Sequence, residues 1–495
     1  MLDPIPNKLL KEMLPEGIVH LLNIINSSLS LGYVPETFRR AKVVPLFKKG
    51  NSHDPGNYRP VSILCTVSKI FERLVNEQFN EYMNKNNFMF KFQSGFRKSH
   101  STESCLLYLS DIIHREIDHG NLCGMVLLDL QKAFDTVNHD RLIAKLEALG
   151  ADSSTCRWFR SYLSGREQLV VLGGVLSDPC IVECGVPQGS ILGLSLFLTY
   201  INDMADSCSC ELFLYADDSA LLMSHKQQST LESNLSSELS SVNNWQIDNM
   251  LSLHFEKTEA ILFGSKYKLN RCSKFRVILN NVVVSTKTSV KYLGCILENN
   301  LDGRKMANKV LSKVNGLTKF LARNSTFLDR STMIILANAL ILNQFEYACT
   351  SWFEGLTKRF KGRLQTAQNK LIRVILNMGH RSHTGRSQFV ELNWLPVESR
   401  VIMSKLTMTH KILYGNVPNY LLCLINKVKD TNTIYTRGSI SDLCPYAFKT
   451  MLGKETFAYI GAVQWNKLDR QIKVISSMNS FKKRTKDWLL ERVAE

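Results

Sequence analysis

The sequence lacks an uninterrupted apolar run of about 18 residues, the length that crosses a membrane as a helix. Residues 1–10 also lack the basic and apolar regions of a secretory signal. The 13 cysteines are an odd number without a C-x-x-C pair, and Cys208 and Cys210 stand alone as a C-x-C. These absences argue against a membrane span, a disulfide framework and a zinc site. We therefore expect free thiols in an intracellular protein, located in the cytoplasm, the nucleus or both.

Acidic residues are missing from two long stretches of a chain whose formal net charge is +17. One lies between Asp302 and Asp329 and the other runs from Gly355 to Val390. Within the first stretch, lysines at 305, 309 and 313 recur every four residues and therefore share one helix face. Such faces are often simply solvated. Because both stretches also carry apolar stripes, we interpret them as folded basic surfaces that contact nucleic acid.

Helical and strand patterns are mixed along the 495 residues, a length typical of two to four domains. Residues 1–60 combine short apolar runs with prolines at 35, 45, 55 and 60, which predicts loops and short strands. From about residue 304 the chain appears mainly helical in pattern. The other predicted elements are helices at 68–79, 102–119, 138–149 and 231–245, and strands at 251–255, 259–263 and 290–297. This mixture predicts an α+β fold with an antiparallel central sheet.

The strongest chemical signal is the segment 215–218, Tyr-Ala-Asp-Asp, which lies between two apolar runs. Adjacent carboxylates repel each other, and a hard divalent cation removes that cost. Asp129 ends another apolar run, residues 125–128, and three such acids could hold two metal ions for phosphoryl transfer. An isolated Asp-Asp pair is usually a polar turn. The apolar flanks and the upstream strand ending in Asp129 instead favour a nucleic-acid polymerase.

The chain resembles reverse transcriptases of non-LTR (LINE-type, jockey-like) retrotransposons, because several segments match that family's motifs in the family's order. The matching segments are two fingers motifs (57–62 and 92–97), motif A (128–139), motif B (185–193), motif C (215–218), the primer grip (292–294) and two tail segments (392–397 and 465–468). The tail segments match less closely than the polymerase motifs, and no chemistry is assigned to them.

The resemblance implies a right-hand polymerase of the α+β class. Its predicted parts are fingers at 1–120, a palm with the catalytic motifs at 121–300, a helical thumb at 301–378 and a mostly helical C-terminal region at 379–495. The implied reaction is RNA-directed DNA synthesis with template RNA, a DNA primer and dNTPs as partners. The implied cofactors are two Mg²⁺ ions, with Mn²⁺ as a possible substitute. The chain opens just upstream of the fingers without the family's endonuclease, so we expect no nicking activity.

The resemblance also assigns roles to individual residues. Asp129, Asp217 and Asp218 would bind the catalytic metals, and the backbone carbonyl of Leu130 would assist them. Phe134 would exclude a ribonucleotide by contact with its 2′-hydroxyl, although a plain core Phe is the alternative. The remaining candidates are Lys257 as general acid, Arg97 for the triphosphate, Gln188 and Gly189 for the base pair and template, Tyr215 of motif C, and Lys42, Lys48 and Arg59 for phosphate or template. A surface Lys, a solvated Arg and an ordinary turn are their alternatives.

The chain departs from the family after Gly193, where Leu194 and Ser195 replace the usual Pro-Leu. A Ser at a packed helix start could lower stability by about 1 kcal/mol. Two rival functions follow. One is a related polymerase, either an intron maturase, a telomerase-like enzyme or an RNA-dependent RNA polymerase. The other is an inactive, truncated relic or a co-opted RNA-binding protein, which the intact acids argue against.

Overall fold

The computed structural model describes residues 7–428 and 441–493. Within these ranges the α-helices, in chain order, are α1 (Asn7–Leu31), α2 (Thr66–Lys85), α3 (Thr102–Asp118), α4 (His139–Ala148), α5 (Ser153–Leu163), α6 (Ile191–Ile201), α7 (Gln228–Asp248), α8 (Lys266–Leu269), α9 (Arg304–Arg323), α10 (Arg330–Leu336), α11 (Asn343–Glu346), α12 (Cys349–Trp352), α13 (Lys358–Ile375), α14 (Arg386–Glu391), α15 (Val397–Leu413), α16 (Phe457–Asn466), α17 (Arg470–Lys473) and α18 (Met478–Glu491). A π-helical turn at Ala337–Leu342 joins α10 to α11.

The strands of the described residues are mostly short, and all but the last two lie in about the N-terminal three fifths of the chain. In chain order they are β1 (Arg40–Phe47), β2 (Tyr58–Ile63), β3 (Leu122–Asp129), β4 (Arg166–Leu172), β5 (Val175–Leu176), β6 (Cys180–Val182), β7 (Glu211–Tyr215), β8 (Asp218–His225), β9 (Glu259–Phe263), β10 (Ile278–Leu279), β11 (Val282–Val283), β12 (Ser285–Lys287), β13 (Ser289–Tyr292), β14 (Cys295–Glu298), β15 (Asn426–Lys427) and β16 (Leu443–Cys444).

The chain divides into two compact units. The first contains Met1–Phe96, Leu128–Ser219 and Ser237–Thr258. In it, β1 pairs antiparallel with β2 and parallel with β4, while β4 pairs antiparallel with β5 and β6. Its core contains the buried rings of Phe71, Phe197 and neighbouring aromatic side chains from α2, α5 and α6. This unit carries all three aspartates predicted to bind metal.

The second unit contains Arg97–Leu127, Ala220–Ser236 and Glu259–Glu495. Strands β12, β9, β3 and β8 lie side by side in that order. The predicted antiparallel pairing is found between β3 and β9, whereas β12 lies parallel to β9. Helices α9 to α18 form most of the remainder. The predicted α+β class and helical C-terminal region are confirmed.

The main local errors of prediction concern the N-terminus and one strand. Residues 7–31 form helix α1 rather than loops, with Leu10 and Ile25 buried, because the prolines that suggested loops all follow the helix. No strand forms at 251–255, where a single bridge joins Leu253 to Leu130 before a 3₁₀ turn begins. The four-part division into fingers, palm, thumb and tail stays a prediction. Within the described residues no helix is both long enough and apolar enough to span a bilayer.

Candidate active site

The Asp217–Asp218 pair lies at the tip of an apolar hairpin. Strand β7 buries Leu212, Phe213 and Leu214, and Asp218 is the first residue of β8. Between them Ala216 has a φ of 55°, a left-handed conformation that costs an L-residue about 1–2 kcal/mol. Such strain is retained where surrounding contacts fix the backbone. Both acidic side chains are exposed at this turn.

The fingers motif at 93–95 fixes the backbone of that turn. The Ser94 N–H donates to the Leu214 carbonyl at 2.8 Å. The Gln93 side-chain oxygen accepts from the Ala216 N–H at 3.2 Å and from the Gly95 N–H at 2.8 Å. A Cβ on Gly95 would lie 2.4 Å from the Ala216 nitrogen, so any side chain at position 95 would displace the hairpin. Gly95 is therefore required by close packing.

Asp129 is held by the backbone of a segment more than 120 residues later. Its carbonyl accepts from the His254 N–H at 2.7 Å, and the next turn places Lys257 beside its side chain. The Lys257 Nζ lies 2.9 Å from Asp129 Oδ2, with both side chains partly exposed. The structure therefore brings the predicted metal-binding acid and the predicted general acid into one ion pair.

Electrostatics connects Asp129 to the hairpin. The pKa of Asp218 rises from its ordinary 3.8 to about 6 because protein atoms displace part of its hydration and because Asp217 and Asp129 add negative charge. Lys48 and Arg59 act in the opposite direction. Interactions between exposed charges fade over about 10 Å. Asp129 and Asp217 are therefore near enough to Asp218 to influence it, as are two of the predicted phosphate-binding cations.

The donor set of this site fits a hard divalent cation. Carboxylate oxygens are the ligands that Mg²⁺ and Mn²⁺ prefer, and a cation would relieve the repulsion that raises the pKa of Asp218. Among the described residues, Asp129, Asp217 and Asp218 do not each bring an oxygen within 4.8 Å of the others. Asp129 instead directs Oδ2 at Lys257.

Motifs A and B pack against each other in the same unit. The Val186 N–H donates to the Phe134 carbonyl at 2.8 Å, and Gln188 Nε2 donates to Asp135 Oδ1 at 2.9 Å. The half-buried Phe134 ring stacks on Phe197 with centroids 4.2 Å apart. Gly189 has a φ of 119°, and a Cβ there would lie 2.4 Å from the carbonyl oxygen of Ser62. Glycine is therefore required at position 189 for the close approach of β2.

The other predicted site residues have less direct support. Leu130 is buried and bridges to Leu253, and Tyr215 is the half-buried last residue of β7. Arg97 belongs to the second unit, where burial lowers the pKa of its guanidinium. Lys42 is half-buried in β1. Their contacts with substrate stay predictions.

The sequence analysis missed Glu72, which orders motif B from inside α2. This side chain is 2% exposed and accepts hydrogen bonds from Ser190 Oγ at 2.9 Å, the Ile191 N–H at 2.8 Å and the Tyr162 hydroxyl at 2.8 Å. Buried carboxylates are retained where donors surround them. The available signal was an acidic residue within the apolar face of the helix predicted at 68–79.

The departure at Ser195 is accommodated without an unpaired hydroxyl. Ser195 Oγ donates to Asn76 Oδ1 at 2.6 Å and accepts from Asn80 Nδ2 at 3.1 Å. Both asparagines lie on α2, which packs against α6. A satisfied hydroxyl removes the desolvation penalty expected for a buried polar group. Ser195 therefore forms a local polar contact between α2 and α6.

Comparison with known proteins places these motifs in a family. The family described as "Reverse transcriptase (RNA-dependent DNA polymerase)" matches residues 47–297. A probable RNA-directed DNA polymerase from transposon BS of Drosophila melanogaster is 27% identical over 421 residues, covering 81% of this chain and 45% of the relative. The polymerase from mobile element jockey of Drosophila funebris is 27% identical over 348 residues, covering 67% and 37%.

The chain spans less than half the length of these curated relatives. Among solved structures, telomerase from Candida albicans in complex with a fragment of telomeric RNA aligns with 87% of this chain and 72% of its own, at 13% identity and a TM-score of 0.38. The match over residues 47–297 contains motifs A, B and C, and the jockey relatives confirm the predicted LINE-type resemblance. The chain belongs to the reverse transcriptase (RNA-dependent DNA polymerase) family, with that family's right-hand α+β fold class.

Proposed function

We propose that the chain catalyses RNA-directed DNA synthesis. The chain belongs to the reverse transcriptase family, and the negative charges of Asp217 and Asp129 contribute to the raised pKa of Asp218. This electrostatic interaction among the three acids is the observation that carries the proposal. In the reaction the primer 3′-hydroxyl oxygen bonds to the α-phosphorus of a dNTP. The bond from that phosphorus to the β-phosphate oxygen breaks, and pyrophosphate leaves. The hydroxyl proton passes to solvent or a nearby base.

Enzymes of this family use divalent metal ions. We assign Asp129, Asp217 and Asp218 as the ligands of two Mg²⁺ ions, for which Mn²⁺ can substitute. When bound, such ions lower the pKa of the attacking hydroxyl and neutralise charge on the triphosphate. The Leu130 carbonyl is the assigned backbone ligand. The hard oxygen donors and the raised pKa of Asp218 support this assignment.

Lys257 is the proposed proton donor to the leaving pyrophosphate. Its Nζ lies 2.9 Å from Asp129 Oδ2, which supports a position next to the reacting phosphates. An ammonium group that is already held in place can transfer its proton as charge develops on the pyrophosphate oxygen. The ion pair with Asp129 orients that ammonium group.

The remaining residues select and hold the substrates. Phe134 contacts the sugar and excludes a 2′-hydroxyl, which its stacking on Phe197 supports by fixing the ring. Gln188 and Gly189 contact the nascent base pair and template. Arg97 binds the triphosphate through its guanidinium fork, with Tyr215 beside the metal-binding pair.

Template RNA and a DNA primer are the proposed partners. Helices α9 and α13 lie in the two acid-free stretches and carry exposed lysines and arginines. Contacts between such side chains and phosphates release counterions, so binding should weaken steeply with salt. Work in the cytoplasm, the nucleus or both is consistent with these partners.

Primer extension on an RNA template with Mg²⁺ and dNTPs tests the proposal. Asp217→Asn should lower the extension rate at least about 100-fold, as removal of one charge-stabilising group does. The matched control is Asp178→Asn, an exposed acid in the same unit, which should extend like wild type. An inactive wild type that still binds RNA tightly would instead establish the RNA-binding alternative.

Nucleotide choice tests the role of Phe134 separately. Phe134→Val removes the ring, and discrimination against ribonucleotides should fall about 10- to 100-fold. The measurement is the ratio of kcat/KM for a dNTP and the matching NTP. Phe197→Leu, which removes the stacking partner, should change this ratio less. If Phe134→Val discriminates between dNTP and NTP as well as wild type does, Phe134 is an ordinary core residue.

A further inference from the structure

A second cluster of metal-ligating side chains lies in the first unit, apart from the aspartates. One ligand atom each from Cys208, Cys210 and Glu238 lies within 4.8 Å of the others. Among residues 7–428 and 441–493, this is the one group of three His, Cys, Asp or Glu side chains that meets this distance. All three residues are half-buried. The C-x-C pair therefore gains its third donor from a helix 28 residues later.

The cluster also lies in a negatively charged setting. Glu238 and Asp206 oppose ionisation of Cys208 through their negative charge. Glu238 also accepts from the Ser209 N–H at 2.8 Å, which holds its carboxylate against the loop. A cation would offset the negative charge around the two thiols.

We propose that Cys208, Cys210 and Glu238 bind a zinc ion. Two thiolates and one carboxylate form a soft, mixed donor set, which favours Zn²⁺ over the hard ions Mg²⁺ and Mn²⁺. Three protein ligands leave the fourth tetrahedral position to water. The oxygen-only aspartate site is different in kind and takes a different ion. The sequence spacing indicated no zinc site because Glu238 lies on α7, far from the two cysteines in the chain.

The position of the cluster gives the zinc ion a structural role near the active site. Cys210 directly precedes β7, the strand that ends at Tyr215 before the Asp217–Asp218 turn. Glu238 lies on α7. Zinc would link the start of β7 to this helix and so fix the strand that carries the hairpin. A ligand that binds the folded chain alone raises its melting temperature.

Two measurements on the wild-type protein test the site directly. After treatment with chelator and reductant, Cd²⁺ should give a cadmium–thiolate charge-transfer band that saturates at one ion per chain and disappears on adding Zn²⁺. Zinc should also protect Cys208 and Cys210 from alkylation, mapped by mass spectrometry. The exposed Cys180 in the same unit should stay reactive. Carboxylates give no such band, so Cd²⁺ at the aspartates does not interfere.

Variants of the three proposed ligands, compared with a variant of a control cysteine, test whether these side chains bind the metal. Cys208→Ser and Cys210→Ser should each abolish the band and the zinc-dependent rise in melting temperature, and Glu238→Gln should weaken binding at least about tenfold. Cys180→Ser is the matched control and should bind like wild type.

Three outcomes would overturn the proposal. They are a wild type without the band, equal alkylation of the two thiols with and without zinc, or a Cys208–Cys210 disulfide in the protein purified without reductant. The wild-type alkylation result stands even if a variant fails to fold. None of these outcomes depends on polymerase activity.

Discussion

Burial raises the pKa of two aspartates in this chain to about 6, but only one of them also has negative charge beside it. Asp218 in the first unit and Asp111 in the second both titrate at about 6. For Asp218, partial loss of hydration combines with the negative charges of Asp217 and Asp129. Asp111 is only 2% exposed, and burial alone raises its pKa while hydrogen bonds from two backbone N–H groups lower it.

The two environments indicate different roles. Asp111 accepts from the Phe457 N–H at 2.7 Å and the Ala458 N–H at 2.8 Å, so it caps the first turn of α16. Its donors are supplied by the protein itself, which is typical of a structural carboxylate. Asp218 faces like charge at a solvent-exposed turn, an arrangement that only an added cation relieves fully. The cause of a raised pKa is therefore a better guide than its size to whether a carboxyl group has a functional or a structural role.

The largest expected effect is the loss of catalysis in Asp218→Asn. The substitution removes one negatively charged group that we propose as a metal ligand, so extension should fall at least about 100-fold. The repulsion with Asp217 and Asp129 also disappears, and the metal-free protein at pH 7 should melt at the same or a higher temperature. Primer extension and a thermal melt in chelator check both results. A strongly destabilised Asp218→Asn would make this residue structural, like Asp111.

Asp111→Ala should have the opposite profile. Two N–H groups at the start of α16 lose a charged acceptor, and stability should fall by about 3 kcal/mol. Asp111→Asn keeps one acceptor oxygen and should lose about half of that. Denaturant unfolding gives the stabilities, and extension per folded molecule should stay close to wild type. A loss of extension without a loss of stability would contradict the structural role.

The pH dependence of stability can separate the two carboxyls. Each binds its proton more tightly in the folded chain, because its pKa rises from 3.8 to about 6. The metal-free protein should therefore lose stability as the pH rises from about 4 to about 6 and level off above that. At pH 7, Mg²⁺ should restore the part of the lost stability that is due to Asp218. The part that is due to Asp111 should not be restored. In Asp218→Asn the recovery should be absent when unfolding is measured with and without Mg²⁺.

The smallest expected effect concerns Ser195. Ser195→Ala removes the hydroxyl shared by Asn76 and Asn80, and stability should fall by about 1 kcal/mol. Extension should not change, because the contact joins α2 to α6 and touches no predicted metal ligand. The denaturant midpoint and the extension rate are the measurements. A large loss of extension would instead show that the contact between α2 and α6 is needed for the activity of the site at Asp218.

Local patterns allowed much of the site to be predicted. Apolar runs next to acidic residues drew attention to Asp129 and the Asp217–Asp218 pair, and apolar periodicity predicted α3 and α4 to within about a residue at each end. Ser101 caps α3, and Asn138 caps α4 by accepting from the Arg141 N–H at 2.9 Å. Capping and hydrophobic periodicity act over a few residues, so a single sequence records them.

Contacts between distant segments could not be predicted in the same way. The cap on α16 comes from Asp111, 346 residues earlier, and the ligand that completes the cysteine cluster is Glu238 on another element. The donors around Glu72 come from α5 and the start of α6. Nothing in the local pattern of an acid states which distant N–H group or thiol will face it. Such pairings depend on the packing of the whole unit.

The close approach of Gly95 to Ala216 has a consequence for judging related chains. A related chain could keep all three acids and still lose the proposed reaction through one substitution at position 95, since a methyl group there meets backbone 2.4 Å away. Gly189, which leaves similarly little room beside Ser62, is a second such position. A search for active relatives should therefore check these two glycines as well as the three acids, because a side chain at position 95 or 189 would displace neighbouring backbone.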